Sequence, residues 1–215
     1  SLPLPSTDPA PVGVASSPPN APAGTMVLTT PHPSTLNPLF ATDVVSMQLL
    51  PLFFDRLVQA DGSSEVGRVG LAADHQAIVV DLAGDLAWHD GRKATAEDVC
   101  FSVHSIQRHG LSVWDRQRRL LKGCQVNGPR RATIQLSASV RTAQDAADIY
   151  LVPSHVGNAV HSPDNDFATA PIGTGPYRAR MSREGAKLTA ISGHIAEIEV
   201  VPASDPLIDI RKLGK

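Results

Sequence analysis

The chain has 215 residues, 42% of them hydrophobic and only 4% aromatic, with 19 basic and 21 acidic side chains for a net charge of −2. That length suffices for one large domain or two small ones, burying about 70% of the unfolded surface without a stabilising staple. The balanced charge excludes the strong positive field of a nucleic-acid binder, and the one basic cluster, Arg116, Arg118, Arg119 and Lys122, reads as a solvated helix face. No apolar run approaches the 18 residues of a membrane span.

Residues 1–23 hold seven prolines with Ser and Ala between them. Such a segment buries too little apolar surface to offset its ordering entropy, so an extended or disordered linker is expected, or else a ragged end. The globular part begins near Gly24. Residues 26–30 (MVLTT) form a first strand, after which Pro31, Pro33 and Pro38 interrupt regular pairing. Asp43 is placed to cap a helix running to about Val58, with Val44, Met47, Leu50, Phe54 and Leu57 on one face. Pro51 falls inside that pattern and predicts a kink or a late start.

A strand over 77–83 puts Ile78, Val80 and Leu82 on one face. Asp90-Gly91 then makes a tight turn, and Thr95 caps a helix over 96–108 whose first turn carries Glu97 and Asp98. Val99, Val103 and Ile106 are its buried stripe. A second helix is expected over 113–122, then strands at CQVNG and ATIQLS, a short helix over 142–151 and an irregular passage over 152–175. A late strand pair, AKLTAI and HIAEIEVV, turns Ile198 and Val200 inward. Asp205, Pro206 and Gly214 delimit a closing helix.

Catalytic and metal patterns are weak. The eight histidines are scattered, and neither CxxC nor HExxH occurs, so no metal is expected. There is no GxSxG nucleophile elbow. Glu97 and Asp98 are adjacent on a helix and so do not face each other; capping explains them. Cys100 and Cys124 are open to two readings, a disulfide in an oxidising compartment or a buried free thiol on the helix stripe. In GTGPY (173–177) the glycines are expected to permit a sharp backbone bend before Tyr177. Trp88 and Tyr177 read as supports of the fold.

Three runs in fixed order carry more information than any of these. They are Leu36-Asn37-Pro38 leading to Phe53-Phe54-Asp55-Arg56-Leu57-Val58; Trp88-His89-Asp90-Gly91 followed by Thr95-Ala96-Glu97-Asp98-Val99 and Phe101-Ser102; and, after Tyr150-Leu151-Val152-Pro153, the run from Gly173 to Tyr177. Together they resemble the extracytoplasmic solute-binding proteins of the peptide/nickel family (family 5), which serve ABC importers. The resemblance covers roughly residues 25–213. Family members are usually much longer and bilobal, so it extends to the first lobe only, and a family strand looks curtailed between Val58 and Gln76.

The resemblance implies an α/β, periplasmic-binding-protein-like fold: a single lobe over 24–215 with a mixed sheet, packed helices and an inserted subdomain near 60–165. It implies binding of a peptide or small chelate outside the cytoplasm, with an ABC permease or a missing second lobe as partner. The chain is expected to be monomeric, without catalysis or cofactor, and without direct membrane insertion, any membrane tether running through the N-terminal linker. The alternative is an interaction or sensor module that has lost ligand capture. The ligand-facing stretch is Thr42, Asp43 and Val44, although Asp43 reads more readily as a plain helix cap. Trp114 is the candidate aromatic, either stacked on ligand or buried in the core. One lobe offers half a pocket, so affinity should be weak unless another wall is supplied.

Overall fold

The computed structural model describes residues 23–203. The proposed linker, apart from Ala23, and the helix expected from Asp205 lie outside the described residues. Two four-stranded sheets organise the described residues. The first is mixed. Strand β1 (Thr25–Thr30) runs parallel to β8 (Glu197–Pro202), which pairs antiparallel with β7 (Gly185–Ala190), and β7 with β6 (Tyr177–Ser182). Ile198 and Val200 are buried as their alternation requires. Its edge strand β1 leaves Met26, Val27 and Leu28 exposed.

The second sheet is antiparallel, in the order β2-β3-β5-β4. Its strands are β2 (Gly67–Leu71), β3 (Ala77–Leu82), β4 (Leu121–Val126) and β5 (Arg131–Leu136). Ile78 sits opposite Ile134 and Val80 opposite Ala132, so one apolar face is continuous across the two central strands. Strand β2 occupies the stretch between Val58 and Gln76 where the sequence looked curtailed; alternating exposure and two glycines, Gly67 and Gly70, hide it from a hydrophobic pattern.

The long helix α2 (Ala96–His109) packs on β4 and β5 of this second sheet with Val99, Val103 and Ile106 inward. Burying three such side chains contributes on the order of 2 kcal/mol each. Cys100 and Cys124 are joined, with their Cα atoms 5.1 Å apart. Strand β4 runs alongside the Cys100 face of α2, so of the two readings open for these residues the fold realises the disulfide.

The remaining helices are shorter than the sequence predicts. The helix expected from Asp43 to Val58 stops early: α1 covers Val44–Leu49, a 3-10 turn covers Leu50–Leu52 with Pro51 in its first positions, and Phe53 onward is non-helical. Proline lacks the N–H that would continue the ladder. The expected common face is therefore split. Leu50, Phe54 and Leu57 are buried, whereas Val44 and Met47 remain exposed. In place of the helix over 113–122 there is a 3-10 turn (Ser112–Trp114), then α3 (Asp115–Leu120), with Lys122 already in β4. The helix over 142–151 shrinks to α4 (Gln144–Ala147). Within 152–175 lie a 3-10 segment, Ser154–His161, kinked at Gly157, and a last single-turn helix, α5 (Asp166–Thr169).

Short-range extended pairing replaces the lost helices. Leu57 N–H donates to Ile149 O at 2.9 Å and Leu151 N–H to Asp55 O at 3.0 Å, which sets Arg56 opposite Tyr150. The glycines of the GTGPY run answer to proximity. A Cβ on Gly173 would lie 1.6 Å from Phe53 O, and one on Gly175 would lie 2.8 Å from Phe53 C. These glycines thus admit the Phe53 backbone, where the sequence reading had expected a bend. His89 closes the same junction. Its backbone N–H donates to Gly173 O, its Nδ1 accepts from Gly173 N–H, and its Nε2 donates to Gly175 O. Burial lowers the His89 pKa, consistent with a neutral ring whose two nitrogens play opposite roles.

Candidate functional site

A concavity of about 190 Å³ opens between the residues after Leu36-Asn37-Pro38 and the turn holding Trp114. Asn37 fixes the first wall. It is wholly buried, donates from Nδ2 to Val160 O at 2.8 Å and accepts at Oδ1 from Leu39 N–H at 3.1 Å. Pro38 then presents its carbonyl to the Trp114 indole N–H at 3.2 Å. The indole is held by that bond and by edge-on packing against Tyr150, with ring centroids 6.3 Å apart. Trp114 is only 8% exposed, yet it lines the concavity. Core support and wall are thus one placement.

The other predicted site residues are less uniform. Thr42 and Val44 are exposed and do not line the concavity. Asp43 caps α1: Oδ1 accepts from Ser46 N–H at 2.8 Å, and Oδ2 accepts from the Ser34 hydroxyl and, at 3.3 Å, its backbone N–H. Partial burial opposes ionisation, but the bonds from Ser34 and Ser46 outweigh it and hold the carboxyl at about 2. Both oxygens are therefore engaged within the fold. The lining itself comes from Ala41 and Met47, which bracket the predicted stretch, together with Leu50 and Val113.

Sequence reasoning missed the polar floor. Arg56 Nη1 forms an ion pair with Asp148, Arg56 Nη2 donates to Tyr150 OH at 2.8 Å, and the guanidinium carbon lies 4.4 Å from the Tyr150 ring centroid. Burial raises the Tyr150 pKa, so its hydroxyl stays protonated and accepts from Arg56. Both Arg56 and Asp148 line the concavity and keep more than a quarter of their side-chain surface exposed. The sequence offered the charged residues but not their pairing, which depends on the non-local alignment of 55–57 with 149–151.

A larger hollow of about 570 Å³ runs along the turn end of the second sheet, beside Gly67, Leu82 and Arg130. No aromatic lines it, and it lies more open to solvent. The smaller concavity, with a ring wall and converging charged groups, has the character of a binding site. Among the described residues, no group of three His, Cys, Asp or Glu side chains is placed to hold a metal ion, and no helix is long and apolar enough to cross a membrane.

Solved structures with the same fold are numerous. The chain is 21% identical to the ABC transporter substrate-binding protein CtaP from Listeria monocytogenes (TM-score 0.72, covering 90% of this chain and 43% of that one). It is 19% identical to the oligopeptide-binding protein AppA from Bacillus subtilis, solved with a nonapeptide (TM-score 0.74, 89% and 42%). It is 22% identical to NikZ from Campylobacter jejuni, solved with Ni(L-His) (TM-score 0.70, 89% and 41%). At these identities the likeness establishes the fold, and the chain spans less than half the length of the structures it matches. No curated protein sequence matches it. The family described as bacterial extracellular solute-binding proteins, family 5 middle, matches residues 68–189, more than half of the chain. From that match, the chain belongs to the family 5 bacterial extracellular solute-binding proteins.

Proposed function

We propose that the chain forms one wall of an extracytoplasmic solute-binding site that delivers a peptide or small chelate to an ABC importer. The concavity under Trp114 carries this reading, because it joins an aromatic wall to a charged floor beside the segment after Leu36-Asn37-Pro38. Among the described residues the backbone N–H and C=O of Thr42 make no hydrogen bond within the fold, which leaves them free for strand-like pairing with an extended ligand. Thr42 and Val44 then act through the backbone, Asp43 holds that backbone in place, and Trp114 supplies contact area. The disulfide agrees with an oxidising compartment outside the cytoplasm. Tethering through the proline-rich N-terminal segment belongs to the same proposal, as do a monomeric state and a first lobe whose inserted subdomain, near 60–165, includes the second sheet.

A concavity open on one side leaves its occupant in contact with water, so the isolated chain should bind weakly and gain affinity only against a second wall. Calorimetry against a short-peptide mixture tests this. Weak heats, or heats that appear only at high ligand concentration, are expected; submicromolar affinity would overturn the one-wall reading. Titration of the same mixture, and of nickel–histidine, against the indole N–H resonance of Trp114 tests solute binding itself. A resonance unmoved by every ligand up to saturation of their solubility would remove it.

A further inference from the structure

Arg56 and Asp148 form a neutral pair that is incompletely used. A guanidinium has five N–H donors. One goes to Asp148 and one to Tyr150 OH; among the described residues the others have no partner. Asp148 accepts at Oδ1, and its Oδ2 has no partner among the described residues. Both side chains face the same concavity and both are partly open to solvent.

The charge balance decides what fits there. A ligand bearing only a carboxylate would meet Arg56 but face Asp148 across the same few ångströms. A ligand bearing only an ammonium would meet the reverse conflict. Like charges so placed act against the wrong partner as strongly as unlike charges act for the right one. A zwitterion satisfies both, with its carboxylate toward the free guanidinium N–H groups and its ammonium toward Asp148 Oδ2. Of the remaining walls, Met47, Leu50, Val113 and the Trp114 ring are apolar, and Gln117 adds one neutral amide. The volume of about 190 Å³ is below the roughly 300–1,000 Å³ of pockets for larger ligands, so it holds one residue, and an extended ligand paired with Thr42 would run outside it.

We propose that this concavity selects a free apolar α-amino acid, with Arg56 taking its carboxylate, Asp148 its ammonium and the Met47–Trp114 wall its side chain. The proposal rests on the reading of the chain as a solute binder and goes beyond it, since a free amino acid is neither a peptide nor a chelate.

The test is an NMR titration of the chain with L-leucine, N-acetyl-L-leucine and L-leucinamide. The read-out is the indole N–H of Trp114, with Trp88, the only other tryptophan, as the internal control. Leucine is expected to shift Trp114 and leave Trp88 still, and each blocked analogue to bind weaker by roughly tenfold or more, as loss of one charged contact and exposure of its partner require. A smaller difference for either analogue, or no shift with leucine, overturns the proposal. Asp148→Asn removes the carboxylate that takes the ammonium, so its preference should reverse in favour of N-acetyl-leucine; an unchanged preference for leucine in a folded variant also overturns it. If Asp148→Asn fails to fold, the ligand series on the unmodified chain decides alone. Should leucine fail while the peptide mixture or nickel–histidine still moves Trp114, the amino-acid proposal falls and solute binding stands; should all fail, both fall.

Discussion

The second sheet with its helix and the concavity under Trp114 are built on opposite plans. In the sheet, β3 and β5 repeat an apolar residue at every second position, α2 repeats one at every third or fourth, and the two patterns meet as a continuous core. Around the concavity no element exceeds two turns. Position is set there by individual side chains: Asn37 reaching to Val160, Trp114 to Pro38, Arg56 to Tyr150 and Asp148. A periodic region distributes its stability over many interchangeable contacts. A region of single contacts concentrates it in a few residues, which leaves the surface free to take a shape that regular packing would fill.

That contrast predicts where substitution is most damaging. Gly173→Ala should be the worst, because its Cβ would fall inside the van der Waals radius of Phe53 O and the obstacle is backbone. A loss on the order of 4 kcal/mol is expected, of the size seen when a buried site cannot relax. Urea unfolding measures it, and a loss below about 1 kcal/mol would show that the junction of Phe53 with the GTGPY run yields more readily than the contacts imply. Removing the disulfide with Cys100→Ala and Cys124→Ala acts instead on the periodic region. The bond closes a segment with a sequence separation of 24, and the loop-entropy argument gives about 3 kcal/mol. Fold and sheet register should survive, so the amide spectrum of β3 and β5 should persist while the melting temperature falls.

Asp98 joins the two plans. It lies in the first turn of α2, where its carboxylate accepts from Thr95 N–H at 2.8 Å in a capping arrangement. It also accepts from the Trp88 indole at 3.2 Å and from the Ser154 N–H and hydroxyl at 2.8 and 2.6 Å. Asp98→Asn keeps the shape but turns an NH₂ toward donors, so about 2 kcal/mol should be lost, since bonds to a charged acceptor are worth more than neutral ones. The hydrogen-exchange protection of Ser154 N–H should fall more than that of β5 amides. Equal loss in both would mean that Asp98 serves the helix alone.

How far the sequence discloses the molecule follows the same division. Ile78, Val80 and Leu82 announce β3, and Thr95 with Glu97 and Asp98 announces the start of α2, because periodicity and capping are local in sequence. The spread of Asp98 beyond its cap to Ser154 is not local, and the capping reading found only part of its role. The early end of α1 was half visible in Pro51, but the exposure of Val44 and Met47 followed only once the helix was known to be short. The resemblance singled out Trp114 and Thr42 to Val44, and of these only Trp114 lines the concavity. The Arg56–Asp148 pair was hidden, because it depends on 55–57 lying beside 149–151, and neither segment carries a strand pattern of its own.

Asp43 gives the smallest effect and separates two roles for the rim. As the cap of α1 it should cost about 1 kcal/mol when replaced in Asp43→Ala. The pH dependence follows from the carboxyl lying at about 2 when folded, below the ordinary 3.8. A depressed carboxylate stabilises the folded state above its unfolded pKa and loses that contribution as pH falls through the folded value. The gap between the chain and Asp43→Ala should therefore be full at pH 6, narrow below about pH 4 and nearly vanish by about pH 2, as read by urea melts at each pH. Because both carboxylate oxygens are already engaged by Ser34 and Ser46, a ligand should meet Asp43 only through the backbone it holds. Ligand-induced shifts at Trp114 in Asp43→Ala should then weaken modestly with the loosened Thr42 backbone. Complete loss of those shifts in a folded variant would make the side chain itself the contact.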